Sequence, residues 1–120
     1  MNNATAAKSI WADFLKLFGT QNHLRPTRLG VFVREGDVLH DYWLEDGLPL
    51  SGIALEMNGE NSPTIEIMLG DKSEATNGHY THSIQNVRQI KFELTLNSEN
   101  DGLEITDAEG KITVLRLETF

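Results

Sequence analysis

The stretch Leu29-Gly30-Val31-Phe32-Val33-Arg34-Glu35-Gly36-Asp37-Val38-Leu39-His40-Asp41-Tyr42-Trp43-Leu44 decides the fold. Leu29, Val31 and Val33 alternate with Gly30, Phe32 and Arg34, which is the period-two signature of a strand, and Val38–Leu44 is a second extended run. Glu35-Gly36-Asp37 between them reads as a tight turn, so the two runs predict a hairpin. Everything upstream of Pro26 has a different period.

Upstream, Ala7, Ile10, Trp11, Phe14, Leu15 and Phe18 recur at helical spacing and share a face, which Ala6 and Leu17 widen to roughly half the circumference. Thr5 is placed as N-cap and Gly19 as the terminating C′ residue, so a helix is predicted over about residues 5–18. Downstream, Asp46-Gly47 breaks the chain, and Pro49 argues against a central strand at that point. Ile53, Leu55 and Met57 share a face. Ile65, Ile67 and Leu69 form the next strand, and a long loop over 70–79 leads to a short strand at Tyr80–Ile84. Ile90, Phe92, Leu94 and Leu96 give the cleanest alternation. Asn100-Asp101-Gly102 and Ala108-Glu109-Gly110 then turn the chain into Leu103–Thr106 and Ile112–Leu117. These runs predict an α+β fold: one N-terminal amphipathic helix packed on a strongly curved, mostly antiparallel sheet or partly open barrel of about seven strands. Residues 1–120 read as one domain, with the meander over about 27–118.

Composition agrees. The chain has 120 residues with 39% hydrophobic content, enough for one core, and no cysteine. Disulfides, thiolate metal sites and cysteine nucleophiles are therefore excluded. The net charge of -8 opposes nucleic acid as the main partner. Asp13 and Lys16 interrupt any signal-like apolar run, and no segment has the length of a spanning helix, so the expected location is the cytoplasm, off the membrane. The charge is uneven. Residues 1–34 hold five bases against Asp13 alone, whereas residues 35–120 hold five bases against seventeen acids. A basic layer on an acidic sheet would complement it internally. The sharper reading is a basic end formed by Arg25, Arg28 and Arg34.

Leu48-Pro49-Leu50-Ser51-Gly52-Ile53, Ile65-Glu66-Ile67-Met68-Leu69-Gly70, His79-Tyr80-Thr81-His82-Ser83-Ile84 and Leu103-Glu104-Ile105, with the Trp-containing amphipathic start, resemble a family of short bacterial proteins known only as a domain of unknown function. The resemblance implies a small bacterial single-domain protein. It transfers no catalytic residue.

Candidate chemistry is sparse. His79 and His82 are three apart with Asp71 across the loop, but strand residues three apart face opposite ways, so a surface or hydrogen-bonded role is expected and no metal or cofactor. His40-Asp41 has the look of a base and its orienting carboxylate, yet adjacent strand residues diverge. Glu56 and Glu66 could oppose each other as a hydrolytic pair; alternation places both on the solvated face instead. No G-x-G-x-x-G or G-x-x-x-x-G-K-[ST] phosphate loop occurs, and Ser51 does not sit in a G-x-S-x-G elbow. Trp11, Phe32, Tyr42 and Trp43 beside the three arginines could stack a single strand, though Trp11 belongs to the helix's core face. The leading expectation is a non-enzymatic module that meets a protein partner or itself through a sheet edge. A ligand-binding barrel or small enzyme is the alternative, its pocket between helix and sheet near His40, Tyr42, Trp43 and His82.

Overall fold

A computed structural model describes residues 3–70, 80–93 and 101–118, with side chains from Ile10 onward. The elements are α1 (Asn3–Gln21), β1 (Pro26–Glu35), β2 (Val38–Glu56), β3 (Thr64–Leu69), β4 (Tyr80–Ile84), β5 (Val87–Glu93), β6 (Gly102–Asp107) and β7 (Ile112–Leu117). Every pairing is antiparallel, in the spatial order β4-β3-β2-β1-β7-β6-β5. The sheet curls into a half-barrel with α1 on its concave side, the α+β architecture that the periodicities predict. β4 and β5 are the two edges of the sheet and yet consecutive in the chain, so the edges converge at Gln85-Asn86. There Asn86 N–H donates to the Asn61 carbonyl, Val87 N–H to that of Pro63, and Ala108 N–H to that of Asn86.

The helix does not stop at Gly19. Asn22 N–H donates to the Phe18 carbonyl at 3.1 Å, and the Asn22 side chain donates to the same oxygen at 3.1 Å. The reversal comes at Leu24, whose φ of 64° turns the chain onto the sheet, where its N–H meets the Leu50 carbonyl at 2.7 Å. The buried helical stripe is also narrower than the apolar arc suggests. Leu15, Phe18 and Asn22 are buried and Trp11 packs beside them, whereas Ile10, Phe14 and Leu17 are 51%, 39% and 48% exposed. A concave sheet accepts one stripe of a helix; the flank of the arc stays outside, with Phe14 touching Phe92 at a ring separation of 5.1 Å.

Pro49 does not break the strand as its sequence position suggests. β2 runs through it unbroken for 19 residues, so two runs of the sequence merge into one element. Its first part pairs with β1 and its last part with β3. Pro49 lies at the changeover, opposite Pro26, so neither of the facing residues has an N–H for the ladder to lose. Leu50 N–H then donates to the Arg25 carbonyl at 2.9 Å, and Gly70 N–H to the Pro49 carbonyl at 2.7 Å. Register shifts on both sides of this point bend the strand, as strands do where they pass between sheet halves.

The core is continuous: Leu15 and Phe18 from the helix, Leu29, Leu50, Ile65, Ile67, Leu69, Ile84, Ile90, Leu103, Ile105, Leu115 and Leu117 from the strands. Burial of each such side chain contributes about 1.5–3 kcal/mol. Leu94, Leu96 and Asn100 lie outside the described residues.

Candidate functional site

β1 and β2 project beyond the barrel body as a two-stranded arm. β7 accompanies β1 only as far as Phe32, while the hairpin continues to its closing pair Glu35↔Val38. The loop has two residues, and Gly36 supplies the positive φ (64°) that such a loop needs. Past Phe32 no described strand flanks the hairpin, and Val38 and Leu39 are each 55% exposed; Tyr42 and Trp43, opposite Val31 and Gly30 at the base of the arm, are 50% and 49% exposed. Tyr42 and Trp43 point to opposite faces, as alternation requires, and both are accessible.

Trp43 anchors the base of the arm. Its register partner is Gly30, and a β-carbon there would lie 2.8 Å from the indole Cε3, so the ring occupies the space that glycine leaves. The Arg28 guanidinium stacks on the indole at 4.2 Å from the ring centroid and reaches Asp46 at 3.4 Å. Asp46 in turn faces Glu118. Hydrogen bonding to Asp46, burial and the repulsion of that carboxylate raise the Glu118 pKa, with Arg28 opposing. On the other face His40 stacks on Tyr42, with ring centroids 6.2 Å apart, and lies 3.7 Å from Glu35. Asp41, opposite Phe32, is on the face away from His40.

The three arginines do not form one basic end. Arg25 is partly buried at the helix terminus and donates to Asn22 Oδ1 at 2.8 Å, Arg28 belongs to the Trp43 stack, and Arg34 stands exposed toward the arm tip. Trp11 is in the core, apart from Tyr42 and Trp43. Glu56 and Glu66 are both exposed; their register partners are Thr64 and Ala54, and Glu56 accepts from the Asn58 N–H. His79 and Asp71 lie outside the described residues, and among the described residues no three His, Asp or Glu side chains group as metal ligands.

His82 is on the concave face of β4, opposite Ile67 and stacked on Tyr80 at 6.4 Å. Its Nε2 is buried with no hydrogen-bond partner. Burial, reinforced by the positive charge of Lys111, lowers its pKa from the ordinary 6.5. The unfolded chain then binds the extra proton more readily, so stability is fully present above pH 6.5 and declines as pH falls through the lowered folded value. Denaturant midpoints should therefore drop on acidification from pH 6.5 down to that lowered value, and His82→Gln should flatten the decline. Parallel wild-type and variant curves would remove His82 as the cause.

Two features escaped sequence reasoning because their parts are far apart in the chain. The first is a buried polar lock. Asp101, 1% exposed, accepts at Oδ2 from Gln21 Nε2 and from Asn22 Nδ2, both at 2.8 Å. The second is an open groove of about 410 Å³ between α1 and β2, lined by Leu15, Lys16, Gly19, Thr20, His23, Ser51, Gly52 and Ile53. It lies between helix and sheet, as the alternative reading expects, but His40, Tyr42, Trp43 and His82 do not line it.

No family model, curated protein or solved structure matches the chain. No described helix is long and apolar enough to cross a membrane. Function is therefore read from the arm, the groove and the histidine.

Proposed function

We propose that the protein is a cytoplasmic, non-enzymatic interaction module that self-associates through the outer edge of β2. One observation carries this reading: Val38, Leu39, Tyr42 and Trp43 stand about half exposed on a strand whose outer edge, over Val38–Asp46, pairs with no described strand. Natural proteins blunt bare edges with lysine, proline or bulges. Between Val38 and Trp43 there is neither lysine nor proline, and Asp41 is the single acid. The register with β1 is also unbroken there.

Counted from the closing pair Glu35↔Val38, antiparallel alternation directs the backbone groups of Leu39 and Asp41 away from β1. A second copy is the occupant that best fits them. An antiparallel dimer centred on His40 places Val38 of one copy beside Tyr42 of the other and keeps the two Asp41 carboxylates apart. Aromatic–β-branched cross-strand pairs of this kind contribute roughly 0.2–1 kcal/mol each.

Analytical ultracentrifugation from low to high micromolar concentration tests the proposal. The wild type should shift from monomer to dimer, and Asp41→Pro should stay monomeric with its melting temperature nearly unchanged, because only an outward N–H is lost. A wild-type protein that sediments as monomer throughout, or an Asp41→Pro variant that dimerises equally well, refutes it.

A further inference from the structure

We infer that the groove between α1 and β2 binds a small amphipathic monocarboxylate, a site independent of the β2 edge. Its apolar lining comes from Leu15 and Ile53, and Gly19 leaves it open on the helix side. A β-carbon at Gly19 would meet nothing within 4 Å, so the space over that turn is unfilled. The polar side chains along it are those of Lys16, Thr20, His23 and Ser51, with no carboxylate among the described residues. Along the helix, Asp13 stands one turn beyond Lys16. The Ser51 hydroxyl donates to the Met68 carbonyl at 2.9 Å, which leaves its oxygen to accept.

The volume falls within the range of about 300–1,000 Å³ in which small ligands are held. Lys16, Gly19 and Thr20 follow one another at i, i+3 and i+4, so one helix face supplies a cation, a gap and a hydroxyl, and His23 adds an imidazole from the turn that follows the helix. An apolar lining beside a cationic rim fits a ligand with a short hydrocarbon body and an anionic head. The head is a monoanion rather than a phosphate because Lys16 is the one lysine or arginine among the described lining residues and must act against the negative end of α1. The helix dipole is negative at that end and opposes a dianion.

Titration of the ¹⁵N-labelled protein with octanoate tests the site, with octylammonium and inorganic phosphate as controls. Octanoate should give saturable shifts concentrated at Gly19, Thr20, Ser51 and Gly52. Octylammonium and phosphate should leave those amides in place. Gly19→Leu fills the groove at a helical position where leucine is tolerated, and it should abolish the shifts with the rest of the spectrum intact. Lys16→Glu leaves the groove open and should weaken octanoate about tenfold or more, the scale of one charge-assisted contact. Equal binding of octylammonium, tighter binding of phosphate, octanoate shifts scattered over the surface, or undiminished affinity in a folded Gly19→Leu protein each overturns the inference.

Discussion

Asp101→Ala will cost the protein about 3 kcal/mol of stability, a large share of what a domain of this size possesses. The carboxylate is 1% exposed and holds the ends of two elements together, since both of its Oδ2 contacts come from the last turn and first non-helical residue of α1. Asn22 is fully buried and uses both ends of its amide: Nδ2 donates to Asp101 and to the Phe18 carbonyl, and Oδ1 accepts from Arg25. Truncation of Asp101 leaves buried donors with fewer acceptors, and each unsatisfied group costs about 1–3 kcal/mol. The backbone of the same residue also receives the Leu117 N–H at 3.3 Å, so β7 and α1 meet at one point. Asp101→Asn keeps the volume and one carbonyl acceptor, and it should lose roughly half as much. Chemical denaturation of both variants, with Asn22→Ala and the double variant completing a cycle, checks the assignment. The cycle should return a coupling of about 1–3 kcal/mol. Additive losses would mean that the two side chains act separately.

This lock marks the boundary of what the sequence makes legible. Elements whose evidence is local were readable: the Glu35-Gly36-Asp37 turn became the hairpin loop, and Tyr80–Ile84 and Ile112–Leu117 are strands over the residues where alternation places them. Pro49 misled because its usual penalty is a missing ladder N–H, and here it faces Pro26, which has none either. Gly19 misled because a glycine can end a helix, but the terminus is held by Asn22, whose partner Asp101 lies 79 residues away. The groove has the same origin. Lys16 comes from α1, His23 from the turn after it and Ser51 and Gly52 from β2, and no spacing along the chain announces that they will face each other. The arm was legible in part. Its aromatic residues were visible in the sequence, but that the outer edge of β2 over Val38–Asp46 pairs with no described strand depends on where β3 joins β2, at Leu50.

Phe18→Ala will be the most damaging single truncation in the helix, with a loss of about 3–5 kcal/mol. Phe18 is fully buried and belongs to the same core cluster as Leu69, Leu103 and Leu115, so its ring is part of the packing that seats α1 on the curled sheet. Periodicity alone ranks Ile10, Phe14 and Phe18 together, whereas their exposures of 51%, 39% and 0% separate them. The contrast makes the test sharp. Leu17→Ala, one residue away and 48% exposed, should cost less than about 1 kcal/mol. In thermal melts a loss of 1 kcal/mol corresponds to roughly 3–6 °C at this chain length, so Phe18→Ala should melt more than about 10 °C below the wild type. Removal of the ring also loosens the cover over the concave face, so the variant should bind a hydrophobic dye at temperatures where the wild type does not. If Phe18→Ala and Leu17→Ala melt together, α1 is not what closes the half-barrel, and its core must be complete without the helix.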